Sequence, residues 1–354
     1  MDIERPALNQ LDPTVRAYIE ALEAELDRLR QGEVTADARE TAEAPLEPDE
    51  PPTTFNLITI SALGFAKRTP RHLYSHQRRG GMGIFDLEVS GDDRPALLTI
   101  ADESQNLILI TNLARAFRVR VSDLPESPVR SRGQSLTAPL PLQRDERLSA
   151  VLPDRDNGYV AVLSWRGYVR CLRYNLFGEH MNPGATLYDV KEFGAPIAAC
   201  WTPGDADLFI ATWQGNAIRF SERQVPVRGG LGIRLDAEDS AIAIAVVRQD
   251  SSVFLLGSDG KATIRLMSGF NPNKSPGGGG KQAMKTDRLV GAVTLGGDDD
   301  IFIISRLGKV IRFRSAEAPA KEGVVQGVNC MALRADDTMA VINSPVVNRI
   351  ANPA

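Results

Sequence analysis

Apolar and polar positions alternate in short runs along most of this chain, and the runs repeat. From residue 55 one unit recurs: an apolar strand, a polar turn, then a strand carrying one or more cations. The copies read LITISALGFAKR, LILITNLARAFRVR, YVAVLSWRGYVRCLR, LFIATWQGNAIRF, VFLLGSDGKATIRL and IFIISRLGKVIRF. Their turn residues are Gly64, Ala114, Gly167, Gly215, Gly260 and Gly308, spaced 45 to 53 residues apart. Glycine suits such turns because it enters positive φ without a steric penalty, and Ala114 is the one departure. A single hairpin cannot bury an apolar face alone, so strand-built repeats of this length predict radial stacking. Six copies predict an all-β, six-bladed propeller-like body over residues 55–345, with a short tail at 346–354. The pattern leaves open whether neighbouring blades join by simple hairpins or by exchanging strands.

Before the repeats, LDPTVRAYIEALEAELDRLR carries a helical period. Asp12 can cap the helix and Pro13 fits its first turn. Val15, Ile19, Leu22, Leu26 and Leu29 form a seam of about two heptads. Two readings of the segment 1–31 stand side by side: an amphipathic helix packed on its own domain, or the handle of a weak homodimer. Residues 32–54 are acidic, proline-bearing and poor in large apolar side chains, which predicts a disordered linker. Its carboxylates are either a solvated spacer or a tethered competitor for the cations of the first copy.

The net charge of −4 hides an asymmetry. Residues 1–54 hold 14 acids against 5 arginines, a net of −9, whereas the rest holds 31 acids and 36 bases, a net of +5. Just after each turn a cation recurs: Lys67 and Arg68, Arg118, Arg170, Arg219, Arg265 and Arg312. For any one of them a solvated strand face is the plainer reading. Recurrence changes the weight, because equivalent positions in a radial fold lie at equivalent radii. The expectation is a positive ring, a track for a polyanion that curves around a disc. No aromatic stripe accompanies it, which disfavours stacking on single strands. The second half of each copy is glycine-rich and often basic, as in RSRG with Arg130 and Arg132, and RGGLG from Arg228. Glycines there let backbone N–H groups turn towards an anion. The first copy is the most basic, with Lys67, Arg68, Arg71, Arg78 and Arg79 inside thirteen residues.

At QRRGGMG, residues 77–83, the chain resembles the C-terminal domain of DNA gyrase A. That family carries a seven-residue box, Gln-Arg-Arg-Gly-Gly-Lys/Arg-Gly, in its first blade. Gln77, Arg78, Arg79, Gly80, Gly81 and Gly83 match, while Met82 stands where the box has a cation. The RSRG and RGGLG stretches resemble the family's later-blade echoes, and the resemblance covers roughly residues 55–345. It implies a β-pinwheel whose blades exchange strands, with double-stranded DNA bent or wrapped around the basic rim and the box fastening the ring. It also implies partners among type II topoisomerase subunits, and a cytoplasmic, nucleoid-associated setting. The residues before the blades do not resemble the family's DNA-cleaving portion, so the resemblance implies a non-catalytic wrapping unit. The runner-up is a propeller scaffold that binds protein and keeps remnants of a DNA surface. Met82 and the body's modest charge favour it.

Other chemistry is weakly supported. Cys171, Cys200 and Cys330 are widely spaced and odd in number, as reduced thiols rather than a disulfide frame or zinc site would be. There is no apolar run of about 18 residues and no signal-peptide pattern, so no membrane partner is expected. His72 and His76 sit in a strand or loop beside arginines, a poor setting for a metal. SPGGGGKQ looks like a phosphate loop but lacks its spacing and a Ser/Thr after Lys281, which predicts an inter-strand loop. Asp298, Asp299 and Asp300 read as a turn before a strand. Trp165, Trp201 and Trp213 are expected between blades. No nucleophile–base constellation is present, and neither cofactor nor metal is expected.

Overall fold

The computed structural model describes residues 50–89 and 91–345. The helix expected over 1–31, its dimer seam, most of the acidic linker and the tail lie outside them. The described residues form six sheets, the blades of a ring. In blade one, Phe55–Ser61 and Phe65–Pro70 make the hairpin, and Pro95–Asp102 lies inside it. The outermost strand, Gln134–Ser135, comes from the second copy. The same exchange recurs around the ring. Ala185–Thr186 completes blade two, Gly230–Leu231 blade three and Lys281–Gln282 blade four. Ala320–Lys321 and Val328–Asn329 complete blade five. Ile84–Phe85 of the first copy pairs with Lys309 and Val310 of blade six and so closes the ring.

Alternation along each strand explains why the blades adhere. Successive side chains point to opposite faces of a strand. Leu57 therefore packs with Phe302 and Ile304 of blade six, while Ile58 packs with Leu107 and Leu109 of blade two. Both faces are buried, so the hairpin strands read as near-continuous apolar runs. The six innermost strands are Pro95–Asp102, Leu148–Pro153, Pro196–Thr202, Ala241–Val247, Leu289–Leu295 and Thr338–Pro345. They pack side by side around an apolar central cavity of about 860 Å³.

All six turn residues have positive φ, from 79° to 84° at the glycines and 52° at Ala114. Two local expectations need correction. Asp299 and Asp300 open a strand and are buried, rather than forming a turn. Only Trp201 is buried between blades, edge-on to Phe177, with Nε1 donating to the Pro153 carbonyl at 2.7 Å. Trp165 and Trp213 are exposed near hairpin tips, beneath Arg166 and Arg288. The three cysteines are free thiols, and burial pushes Cys171 and Cys330 up to about 12. No helix of the described residues is long and apolar enough to cross a membrane.

The ordered body also begins before residue 55. Glu50 is only 2% exposed, although composition groups it with the linker. It accepts from Arg71 at 2.7 Å and from Arg312 at 2.6 Å, and Thr53 N–H donates to His72 Nδ1 at 3.3 Å.

Candidate nucleic-acid interface

The box lies at the junction that closes the ring. It follows the 3-10 turn Arg71–Leu73 and leads into Ile84–Phe85. Gln77 N–H donates to the Arg312 carbonyl at 2.8 Å, and Gln77 Oε1 accepts from Gly83 N–H at 3.2 Å. Gly80 N–H donates to the Cys330 carbonyl at 3.0 Å, and Ala332 N–H to the Gly81 carbonyl at 2.9 Å. Glycine is required at residue 83, where φ is 72° and a Cβ would stand 2.8 Å from the Val310 carbonyl oxygen. Arg79 is a fastener: its N–H donates to Glu317 Oε2 at 2.8 Å, Nε to the Glu317 carbonyl at 2.9 Å and Nη1 to the Asn329 carbonyl at 2.6 Å. Arg78 is exposed and has no ion pair among the described residues. Met82, in the same box, is 51% exposed.

Several of the recurring strand cations turn out to join blades. Arg68, Arg118, Arg219 and Arg312 each stand four residues past the turn residue. Arg68 Nε donates to the Leu124 carbonyl at 3.0 Å, and Arg118 pairs with Asp154 at 2.7 Å. Arg219 pairs with Asp207 at 2.8 Å and donates to the Met267 and Phe270 carbonyls at 3.0 and 3.2 Å. Arg312 donates to the Tyr74 carbonyl at 2.8 Å, to the Arg71 carbonyl at 3.2 Å, and to Glu50 and Asp300. Arg170 donates to the Leu187 carbonyl, and Arg265 to the Gly269 carbonyl at 3.3 Å. Arg71 is held by Glu50, Ser344 and the Pro345 carbonyl. Lys67 meets Asp86 at 2.7 Å, and Asp86 also accepts from Thr59 and Tyr74. Lys67, Arg68, Arg71, Arg219, Arg265 and Arg312 are all buried. The expected exposed ring is therefore largely a set of internal latches, because a sheet's inner faces recur as regularly as its rim does.

Burial and pairing set the electrostatics of these latches. Burial alone would raise Glu50, but Arg71 and Arg312 hold its carboxyl below the usual range. For Asp300 too, the upward push of burial is overcome, here by His76 and Arg312. At the second latch burial prevails, raising the Asp86 carboxyl and lowering the Lys67 ammonium in spite of their contact.

Several cations that reach the surface lie in the glycine-rich loops and at the ends of hairpin strands. Arg130, Arg132 and Arg228 are exposed, as are Arg120 and Arg173. Arg130 pairs with Glu88 at 2.8 Å and lies 5.7 Å from the ring centre of Phe85; Lys309 lies 5.0 Å from the same ring. Phe85, directly after the box, is exposed, so cations and an aromatic face meet at the ring-closing junction. Arg132 lies over Phe65. Sequence reasoning missed Phe85, Lys309, Lys274, Lys281 and Lys321. Their signal was weak: single cations in loops whose blade was unknown until the strand exchange was seen. The third copy's loop, residues 174–186, has no Lys or Arg, so the basic rim is uneven.

The family model described as DNA gyrase C-terminal domain, beta-propeller, matches residues 56–94, 105–153, 206–248 and 299–321. The DNA gyrase A protein of Mycobacterium leprae is 27% identical over 300 residues, covering 81% of this chain and 24% of the relative. Its Mycoplasma genitalium counterpart is 24% identical over 293 residues, covering 80% of this chain and 35% of the relative. The chain thus spans about a quarter to a third of the length of these relatives. A solved DNA gyrase A C-terminal domain superposes with a TM-score of 0.74 at 17% identity, covering 82% of this chain and 99% of the other. The C-terminal domain of DNA topoisomerase IV gives 0.58 at 19% identity, covering 82% and 93%. These two likenesses concern the fold. With the box at the ring closure and the repeat matched in four stretches, the chain is similar to the DNA gyrase A C-terminal domain family.

Proposed function

We propose that this body binds duplex DNA through the phosphate backbone along its rim and bends or wraps it, as an accessory to type II topoisomerase subunits. The observation that carries this reading is Arg78, exposed and free of any ion pair among the described residues, on a box whose other residues fasten the ring. Arg130 and Lys309 around Phe85 extend the same surface, and Arg132 and Arg228 continue it to neighbouring loops. Because the third copy's loop lacks cations, the DNA track is anchored at the junction of blades six, one and two. Backbone contacts release counterions, so affinity falls with salt at a log–log slope of about −0.9 per neutralised phosphate. About five contacts give a slope of about −4.5. Titration of a short duplex at several salt concentrations tests this; a flat dependence or no binding at low salt removes the reading.

One observation favours a second reading, the protein-binding propeller. Leu63, Trp165 and Leu307 stand exposed at hairpin tips, with Leu63 at 65%. A partner held there would bind equally well at low and moderate salt.

A further inference from the structure

Blade four meets blade five at a place where three cations gather, two of them over the ring of Phe270 and the third on its carbonyl. Arg219 is satisfied there by Asp207 and two carbonyls. Arg265, from blade five, is not. The latching arginine stands four residues past the turn in four blades, but in blade five that place is Ile264. Arg265 stands one residue further, where other blades have Thr69, Val119, Leu172, Phe220 and Phe313. By strand alternation it points away from the latching face, into a position that is elsewhere mostly apolar. It is 5% exposed, and its Nε and Nη1 have no hydrogen-bond partner. Among the described residues no carboxylate forms an ion pair with it, and it is the one arginine with two unpaired buried nitrogens.

Lys281 adds the third charge from the exposed outer strand of blade four. Its Nζ lies 4.2 Å from the Phe270 ring centre, and Arg265 Cζ lies 5.6 Å from the same ring. Among the described residues the one hydrogen bond of its Nζ is a 3.3 Å contact to the Asn271 carbonyl. Burial, then the charges of Arg265 and Arg219, lower the Lys281 ammonium, and burial lowers Arg265 against the pull of Glu322. Buried donors left unpaired are unfavourable, and an oxyanion would answer both the unpaired N–H groups and the crowded charge. A glycine-rich loop, 277–280, leads directly into Lys281, and a side chain at Gly279 would meet nothing within 4 Å.

We propose that the seam between blades four and five is a phosphate seat, in which exposed Lys281 receives the phosphate and Arg265 supplies the buried N–H donors. The seat rests on the DNA-backbone reading for its physiological ligand, a phosphodiester of the rim-bound duplex. It adds an anchoring point at a different seam from the one that the box closes.

The experiment has two arms, each run on the whole chain with Lys281→Ala and Arg265→Leu. Arg248→Ala removes an exposed cation paired with Asp205 and controls for net charge. In the first arm, melting is followed with inorganic phosphate against chloride at equal ionic strength. Wild type and the control should show a phosphate-specific upward shift that both seat variants lose. In the second arm, a short duplex is titrated against salt. Lys281→Ala should reduce the slope by about 0.9 and weaken binding about five- to tenfold at low salt. Lys281 is exposed, so its variant is informative even if Arg265→Leu does not fold. Equal phosphate shifts in wild type and Lys281→Ala, with an unchanged slope, overturn the seat. Loss of the shift with an unchanged slope overturns the assignment to DNA and leaves free phosphate as the ligand. If wild type binds no DNA, the DNA reading fails, while the first arm still decides the seat.

Discussion

Replacing Arg312 by leucine should unfasten the ring and lower stability by about 3–5 kcal/mol, the range for removing one partner of a buried ion pair. Arg312 is 1% exposed and is the hub between the last blade and the first. It donates to the Arg71 and Tyr74 carbonyls and to Glu50, all from the N-terminal side of the ring, and to Asp300 of its own blade. Among the described residues its loss leaves Glu50 paired with Arg71 alone. Asp300 keeps His76 at 2.7 Å and Arg314 at 3.5 Å. Denaturant unfolding measures the effect, and an unchanged midpoint would show the cluster to be dispensable. The pH dependence follows from the carboxyls held low in the fold. Glu50 and Asp300 have ordinary values of 4.5 and 3.8, and both are lowered. A lowered carboxyl contributes stability that is present above its ordinary value and is lost as pH falls through the folded one. Wild type should therefore lose stability below about pH 4.5, and Arg312→Leu should lose less over that window. Asp86, raised by burial, titrates with the opposite sign but is common to both proteins, so the comparison isolates the Arg312 cluster.

The hairpins and the blade count were legible in the sequence because each depends on local pattern, whereas the closing role of the box was implied only by the family resemblance. Alternation and turn chemistry identified every hairpin, and even Ala114 adopts the positive φ its position demanded. The destination of the outer strands was not legible. Each exchanged segment, such as Ile84–Phe85, is two residues long and too short to carry a period. The cation ring shows a different limit. Recurrence proves structural equivalence, but a seam between blades recurs as faithfully as a surface does. Arg219 and Arg312 therefore looked like a track and are latches. Glu50 was hidden for the converse reason: acidic neighbours made it read as solvated, while the buried arginines that need it lie 21 and 262 residues away.

Removing the two arginines of the box separates fastening from presentation. Arg78→Ala should leave stability within about 0.5 kcal/mol of wild type, since the side chain is exposed and forms no ion pair among the described residues. Arg79→Ala should destabilise by about 1–3 kcal/mol, because its two side-chain donors hold the Glu317 and Asn329 carbonyls. Together they should weaken wrapping of long DNA more than binding of a short duplex. Bending 20–30 base pairs costs about 1–6 kcal/mol, so a duplex that is no longer gripped at one end of the track straightens there first. Met82→Arg restores the box cation and should act in the opposite sense. Titration of long and short duplexes side by side measures the difference, and equal losses on both would reduce the box to an ordinary basic patch.

Wrapping itself is tested most directly by topology. Closed circular DNA is relaxed to equilibrium by a type I topoisomerase with increasing amounts of the protein, then stripped of protein and resolved by linking number. A body that wraps duplex around its rim should shift the linking-number distribution in proportion to the protein bound, and the Arg78→Ala, Arg79→Ala double variant should shift it less at equal occupancy. DNA that is fully bound yet relaxes to the same distribution as naked circles would contradict wrapping and leave a binder that does not bend its target around the ring.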